Sequence, residues 1–205
     1  MNKPEFVDYL KNLLSFVTKN AEDDAQKLAD SFGAFTYMMH LDKYVMQEAS
    51  GCSMETADFL KLAAAITARR VADEYKSGRK YSQKAVEDYI GGLFFGLSVE
   101  TVYMLMFDAD GKFISSERIG DGTVNATGFI PRKLLDIAIR KKAKSVVIAH
   151  NHPCGRIKAS DNDIKTTYVA KNVLESSGIE LISHYIVSGF EICDCIELLR
   201  DSESR

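Results

Sequence analysis

The chain has 205 residues, 46% of them hydrophobic and 27% charged, with three prolines, thirteen glycines and no tryptophan. That balance excludes a disordered chain, a collagen-like repeat and a disulfide-stapled miniprotein. The longest apolar run, Val102 to Phe107, falls far short of the ~20 residues that span a bilayer. Lys and Arg number 26 against 29 Asp and Glu, a net charge of −3, without the basic excess of a domain that lives on a phosphate backbone.

The first ~80 residues predict helices in succession, and the assigned domain is 1–79. Phe6, Leu10, Leu13, Leu14 and Val17 repeat at helical spacing behind Pro4, a residue suited to a first turn. A second helix runs from about Glu22 to Ser31 and stops at Gly33. A third, from about Glu55 to Glu74, carries Leu60, Ala63, Ala64, Thr67 and Val71 on one stripe, and Met38 with Met39 reads as helix core. The polar stretch from Tyr75 to Ser82 reads as the linker. From there, residues 80–205 alternate helix and strand. A helix from Gln83 to Phe95 precedes the strand Thr101 to Phe107, the Asp108-Ala109-Asp110-Gly111 turn and the strand Lys112 to Glu117. After a loop from Gly120 to Asn125, a helix starting at Pro131 feeds the apolar run Ser145 to Ala149, typical of a buried strand. The loop His150 to Ala159, a helix from Asp161 to Ser177 closed by Gly178, and the strand Leu181 to Val187 complete an α/β region: a sheet with flanking helices, preceded by a small all-α domain.

Two of the four histidines, His150 and His152, stand one residue apart where the buried strand ends. In extended backbone, residues i and i+2 point to one side, so both imidazoles can reach one ion. Asp163 falls in the first turn of the next helix. Two imidazoles and a carboxylate suit zinc, and three protein ligands leave a tetrahedral position open for water, the arrangement of a catalytic site. Glu100, at the start of the first sheet strand, is the candidate general base. Ser160, three residues before Asp163, is the candidate hydroxyl for a developing oxyanion. Ser160-x-x-Asp163 also has the form of a capping box, and the two roles are compatible because the helix start positions the ligand. Cys52, Cys154, Cys193 and Cys195 read as reduced thiols rather than a disulfide framework, and Cys193-x-Cys195 lacks the second pair of a metal knuckle. His40 and His184 read as packing or hydrogen-bonding residues, although the strand position of His184 leaves a ligand role open.

His150-x-His152, seven residues, Ser160, two residues, Asp163 matches the JAMM motif of the JAB/MPN metalloprotease domain. The run Ala149-His150-Asn151-His152-Pro153-Cys154-Gly155 resembles the His-Asn-His-Pro-Ser-Gly signature of the RadC family, historically named for DNA repair. Glu100 to Asp108, Gly122-Thr123, Pro131-Arg132 and His184 to Val187 add to the likeness, which covers about residues 83–190. The resemblance implies a mixed sheet between helices, related to the zinc deaminases. It implies zinc held by His150, His152 and Asp163, water activated by Glu100, and a tetrahedral intermediate assisted by Ser160. Cys154 departs from the usual Ser, Ile130 from a frequent His, Lys133 from Glu and Ser183 from Asp. The amino-terminal region resembles a degenerate helix-hairpin-helix segment in which Ser50-Gly51-Cys52-Ser53 keeps one of two glycines.

The expected function is a zinc-dependent amide hydrolase acting on a peptide or protein. The alternative is a DNA-associated or protein-interaction module with a silent metal site, or a metal-dependent nuclease; the charge balance gives DNA binding no support. The start of the chain shows no apolar signal region, so a cytoplasmic location without membrane association is expected. Oligomeric state is not legible.

Overall fold

The computed structural model describes residues 2–33, 35–75, 77–121, 129–153, 157–189 and 191–203. It divides into two compact units, Met1–Arg70 with Phe95–Ser98 and Val71–Phe94 with Val99–Arg205.

The first unit is the expected helical region. It contains α1 (Lys3–Leu14), α2 (Ala21–Phe32), α3 (Phe35–His40), α4 (Lys43–Ser50) and most of α5 (Met54–Glu74). Asn2 and Glu5 form a capping box at the start of α1, and Phe6, Leu10 and Leu14 are its buried stripe. Val17 lies beyond the helix, contrary to the periodic reading, because α1 closes at Ser15. Gly33 ends α2 in the left-handed conformation at φ 66°, which a glycine adopts without a Cβ penalty. Met38 and Met39 lie in α3, in keeping with their reading as helix core, but the sequence gives no bounds for α3 and no sign of α4; at six and eight residues both are too short for periodicity to declare them. Met38 and Met39 are fully buried in this core with Leu28, Met46 and Leu60.

One buried acid organises the turn into α5. Asp24 accepts hydrogen bonds from the Ser53 amide at 3.1 Å, the Ser53 hydroxyl at 2.5 Å and the Thr56 hydroxyl at 2.6 Å. The other two amides of that turn are also used within the chain. Gly51 donates to the Gln47 carbonyl and Cys52 to the Ser50 hydroxyl.

The second unit contains α6 (Gln83–Phe94), β1 (Thr101–Phe107), β2 (Phe113–Asp121), α7 (Phe129–Arg140), β3 (Ser145–Asn151), α8 (Asp161–Glu175), β4 (Glu180–Ser188), β5 (Glu191–Asp194) and α9 (Cys195–Glu203). The five strands form one mixed sheet in the order β2-β1-β3-β4-β5. β1 is antiparallel to β2 and β3, β3 is parallel to β4, and β5 returns antiparallel to β4. The parallel pair is joined through α8, the kind of crossover a parallel connection requires. Alternation along β1 and β3 separates two packed faces. Val102, Met104, Met106, Val146 and Ile148 join Leu134, Ala138, Ala170, Leu174 and Ile196 of α7, α8 and α9 in one core. On the other face Tyr103 meets Phe94 of α6 edge to face, with ring centroids 5.6 Å apart.

Several boundaries differ from the sequence reading. His150 and Asn151 belong to β3 rather than to a loop, because their backbones continue pairing with β4. β2 extends past Glu117 to Asp121, so Gly120 is in a strand, and α7 begins before Pro131. β5 and α9, which hold Cys193 and Cys195, were not anticipated; the first is four residues long and the second lies beyond the motifs. Gly122-Thr123, Cys154 and Gly155 lie outside the described residues, as does the side chain of Ile130. Gly78 to Tyr81 run beside the turn into β2: Gly78 donates to Phe113, Phe113 to Arg79 and Tyr81 to Gly111, each at 2.7 Å.

Candidate metal centre

The site forms where β3 ends beneath the start of α8. His150 continues the row of Val146 and Ile148, so its side chain points toward α8. His152 follows two residues later, its backbone amide held by the Val187 carbonyl at 2.8 Å. Its Nε2 lies 3.0 Å from Nε2 of His150. Ser160 caps α8: its hydroxyl accepts from the Asp163 amide at 3.1 Å, while its own amide and hydroxyl donate to Asp163 Oδ2 at 2.8 and 2.6 Å. This capping box fixes the carboxylate, leaving Oδ1 3.3 Å from His150 Nε2; Oδ2 lies 3.6 Å from His152 Nε2. Ligand atoms of His150, His152 and Asp163 all fall within 4.8 Å of one another. Burial pushes the Asp163 carboxyl upward, but the hydrogen bonds it accepts from the Ser160 amide and hydroxyl help to hold it well below the usual carboxylate range.

Glu100 shares a cavity wall with His150 and Asp163. A cavity of ≈ 40 Å³ is lined by Glu100, Val102, Ile148, His150, Asp163 and His184, among others, and such a volume accommodates water. Beside Glu100 the backbone is clamped by the residue between the two histidines. The Asn151 side chain accepts from the Thr101 amide at 2.7 Å and donates to the Val99 carbonyl at 3.2 Å. Of the five residues singled out from sequence, three converge as a ligand group, Glu100 lines the cavity, and Ser160 engages the Asp163 carboxylate.

Two participants were not identified from the sequence and one was only partly read. His184 on β4 is buried, its Nε2 2.9 Å from Nδ1 of His150 and its Nδ1 2.6 Å from the Thr167 hydroxyl. Burial, reinforced by His150, pushes this imidazole down to about 3, so the ring is neutral. The strand position of His184 was the available signal. Thr167 gave none, and Asn151 only its place in the motif. Cys195 is buried and its thiol is pushed up to about 12, chiefly by burial and then by Cys193, which keeps it protonated and unreactive.

The donor set, two imidazole nitrogens and a carboxylate oxygen brought together where β3 ends and α8 begins, could hold a metal ion and is of the type that suits zinc. The family pattern described as RadC-like JAB domain matches residues 81–195, more than half of the chain. The chain belongs to the RadC family of JAB-domain proteins. Its relatives extend beyond that domain. A UPF0758 protein of Polaromonas sp. (strain JS666) is 28% identical over 181 residues, covering 88% of this chain and 81% of its own length. A UPF0758 protein of Cupriavidus pinatubonensis is 28% identical over 176 residues, 85% of this chain and 77% of its own. One from Shewanella oneidensis is 29% identical over 190 residues, 92% and 83% of the two chains. Within this JAB domain, no described helix is long and apolar enough to cross a membrane, and the same holds for the helical unit before it.

Proposed function

We propose that this RadC-family protein is a zinc-dependent hydrolase of the JAMM type that cleaves an amide bond in a peptide or isopeptide. The observation that supports it is the meeting of His150, His152 and Asp163, two of which, His150 and Asp163, line a cavity whose wall also carries Glu100. His150 and His152 would hold the ion through their Nε2 atoms and Asp163 through its carboxylate. When bound, zinc supplies a Lewis acid that polarises a carbonyl and lowers the pKa of water toward 7.

The residues around it supply the remaining chemistry. Glu100 takes the proton of the attacking water and passes it to the leaving amine, the two halves of general base and general acid work. Ser160, whose hydroxyl donates to Asp163 Oδ2, keeps its proton and stabilises the developing negative oxygen by turning that O–H toward it. Val102, Leu134 and Ile148 form an apolar wall, which strengthens every charge interaction within the cavity.

Metal analysis of the full chain purified without chelator tests the reading. One zinc per chain is expected, lost in His152→Ala. Glu100→Gln is expected to keep its zinc while cleavage of peptide and isopeptide-linked probes falls roughly 10²- to 10⁴-fold. A wild-type protein without stoichiometric zinc, or a metal content that His152→Ala leaves unchanged, overturns the assignment.

A further inference from the structure

A chain of hydrogen bonds runs behind the site from the Asp163 backbone through Thr167 and His184 to His150. Thr167 stands one helical turn after Asp163 on α8, and its hydroxyl donates to the Asp163 carbonyl at 2.6 Å. A carbonyl only accepts, so the single Thr167 proton is committed there. The 2.6 Å contact between the Thr167 oxygen and Nδ1 of His184 must then be donated by the histidine. A neutral imidazole with its proton on Nδ1 has a bare Nε2. That bare nitrogen faces Nδ1 of His150 at 2.9 Å, so the His150 proton also sits on Nδ1. His150 is left with its lone pair on Nε2, the atom that looks toward His152 at 3.0 Å and Asp163 at 3.3 Å.

We infer that Thr167 and His184 act as a tautomer lock: positioning residues that place the proton of His150 on Nδ1 and so present its Nε2 as a ready metal ligand. The inference rests on the zinc reading above and deepens it. A buried histidine pair without the threonine would have two hydrogen-bonded arrangements, Nδ1–H or Nε2–H on His150, and only the first leaves the ligand atom free. The lock also explains why a second buried imidazole stands behind the first. Outer partners of a ligand histidine are commonly a carboxylate or a carbonyl; here the partner is itself a histidine whose own tautomer needs fixing. The helix supplies that through Thr167, tied to the backbone of the ligand Asp163.

Nitrogen-15 histidine spectra of the full-length, zinc-stripped chain read the tautomer directly, and chelator competition reads zinc affinity. In the wild type, His150 is expected as the Nδ1–H form. Thr167→Val removes the hydroxyl at nearly constant volume; it is expected to move His150 toward the Nε2–H form and to weaken zinc binding roughly 10- to 100-fold. Thr167→Ser, which restores the hydroxyl, is expected to recover both readouts. His184→Leu is expected to behave like Thr167→Val, and His184→Gln, which keeps an acceptor for His150, to recover part of the affinity. Should His184→Leu fail to fold, the Thr167 pair carries the test alone. The lock is overturned if wild-type His150 shows the Nε2–H form, or if Thr167→Val leaves tautomer and affinity unchanged. A wild-type chain that takes up no zinc would sink the metal reading instead, with the tautomer spectrum still deciding the lock.

Discussion

The Asn151 side chain holds the Thr101 amide at 2.7 Å and returns a hydrogen bond to the Val99 carbonyl, bracketing Glu100 on both sides. The residue between two imidazoles thus ties the start of β1 to the end of β3. Its truncation leaves a buried donor at Thr101 unpaired. Asn151→Ala is expected to lose roughly 2–3 kcal/mol, the cost of stranding buried polar groups. Urea unfolding followed by circular dichroism measures this, and a loss below about 0.5 kcal/mol, the scale of an ordinary surface change, would show that the clamp carries no load. The same variant is expected to retain its zinc, because no ligand atom is touched.

Two adjacent glycines of α6 have opposite reasons to be there. A Cβ on Gly92 would lie 2.4 Å from Cγ1 of Val71, a stiff β-branched side chain, whereas one on Gly91 would meet nothing within 4 Å. Gly91→Ala is therefore expected to stabilise by up to about 1 kcal/mol through helix propensity. Gly92→Ala is expected to destabilise by about 1–2 kcal/mol, because overpacking outweighs the same gain. Thermal melts of the two variants, side by side, check the sign of each.

The long periodic helices and the strand run Thr101 to Phe107 were legible because their patterns outlast local noise; β1 has the bounds read from the residues. The ligand group was legible because His-x-His in a strand needs only period two. What lay behind it was not. β3 and β4 pair with a register shift between Val146 and Val147, so Leu181 stands opposite Val146 and His184 opposite Ile148. Without that shift the alternation begun by Leu181 would carry Ser183 to the α8 face in place of His184. A single irregularity in pairing decides which side chain backs the ligand, and no spacing in the sequence reports it. The bounds of α3, and α4 and the four-residue β5 altogether, were not legible for a simpler reason: fewer than three turns or five residues give no period to read.

In the helical unit the prediction concerns Asp24, which gathers three donors from Ser53 and Thr56. These are the groups that start α5, so the acid serves as a cap supplied from another helix. Asp24→Ala is expected to cost roughly 1–3 kcal/mol, since each donor is left in a site where water enters poorly. The loss should appear in the melt of helical ellipticity; a melting temperature equal to that of the wild type would remove the acid from this role.

Ser160 separates a purely structural cap from one that also aims a ligand. Ser160→Ala removes the N-cap, expected to cost about 1 kcal/mol in the zinc-free chain. If the hydroxyl does nothing else, the cost is the same with zinc present. If it also orients Asp163, zinc binds more weakly and the cost grows. At a zinc concentration a hundred times the wild-type dissociation constant, binding adds about 2.7 kcal/mol of stability, and a tenfold weaker variant gains only about 1.4 kcal/mol. The expected result is therefore a deficit near 1 kcal/mol in chelator, widening by a little over 1 kcal/mol in zinc. Equal deficits in the two buffers would assign Ser160 to the helix alone.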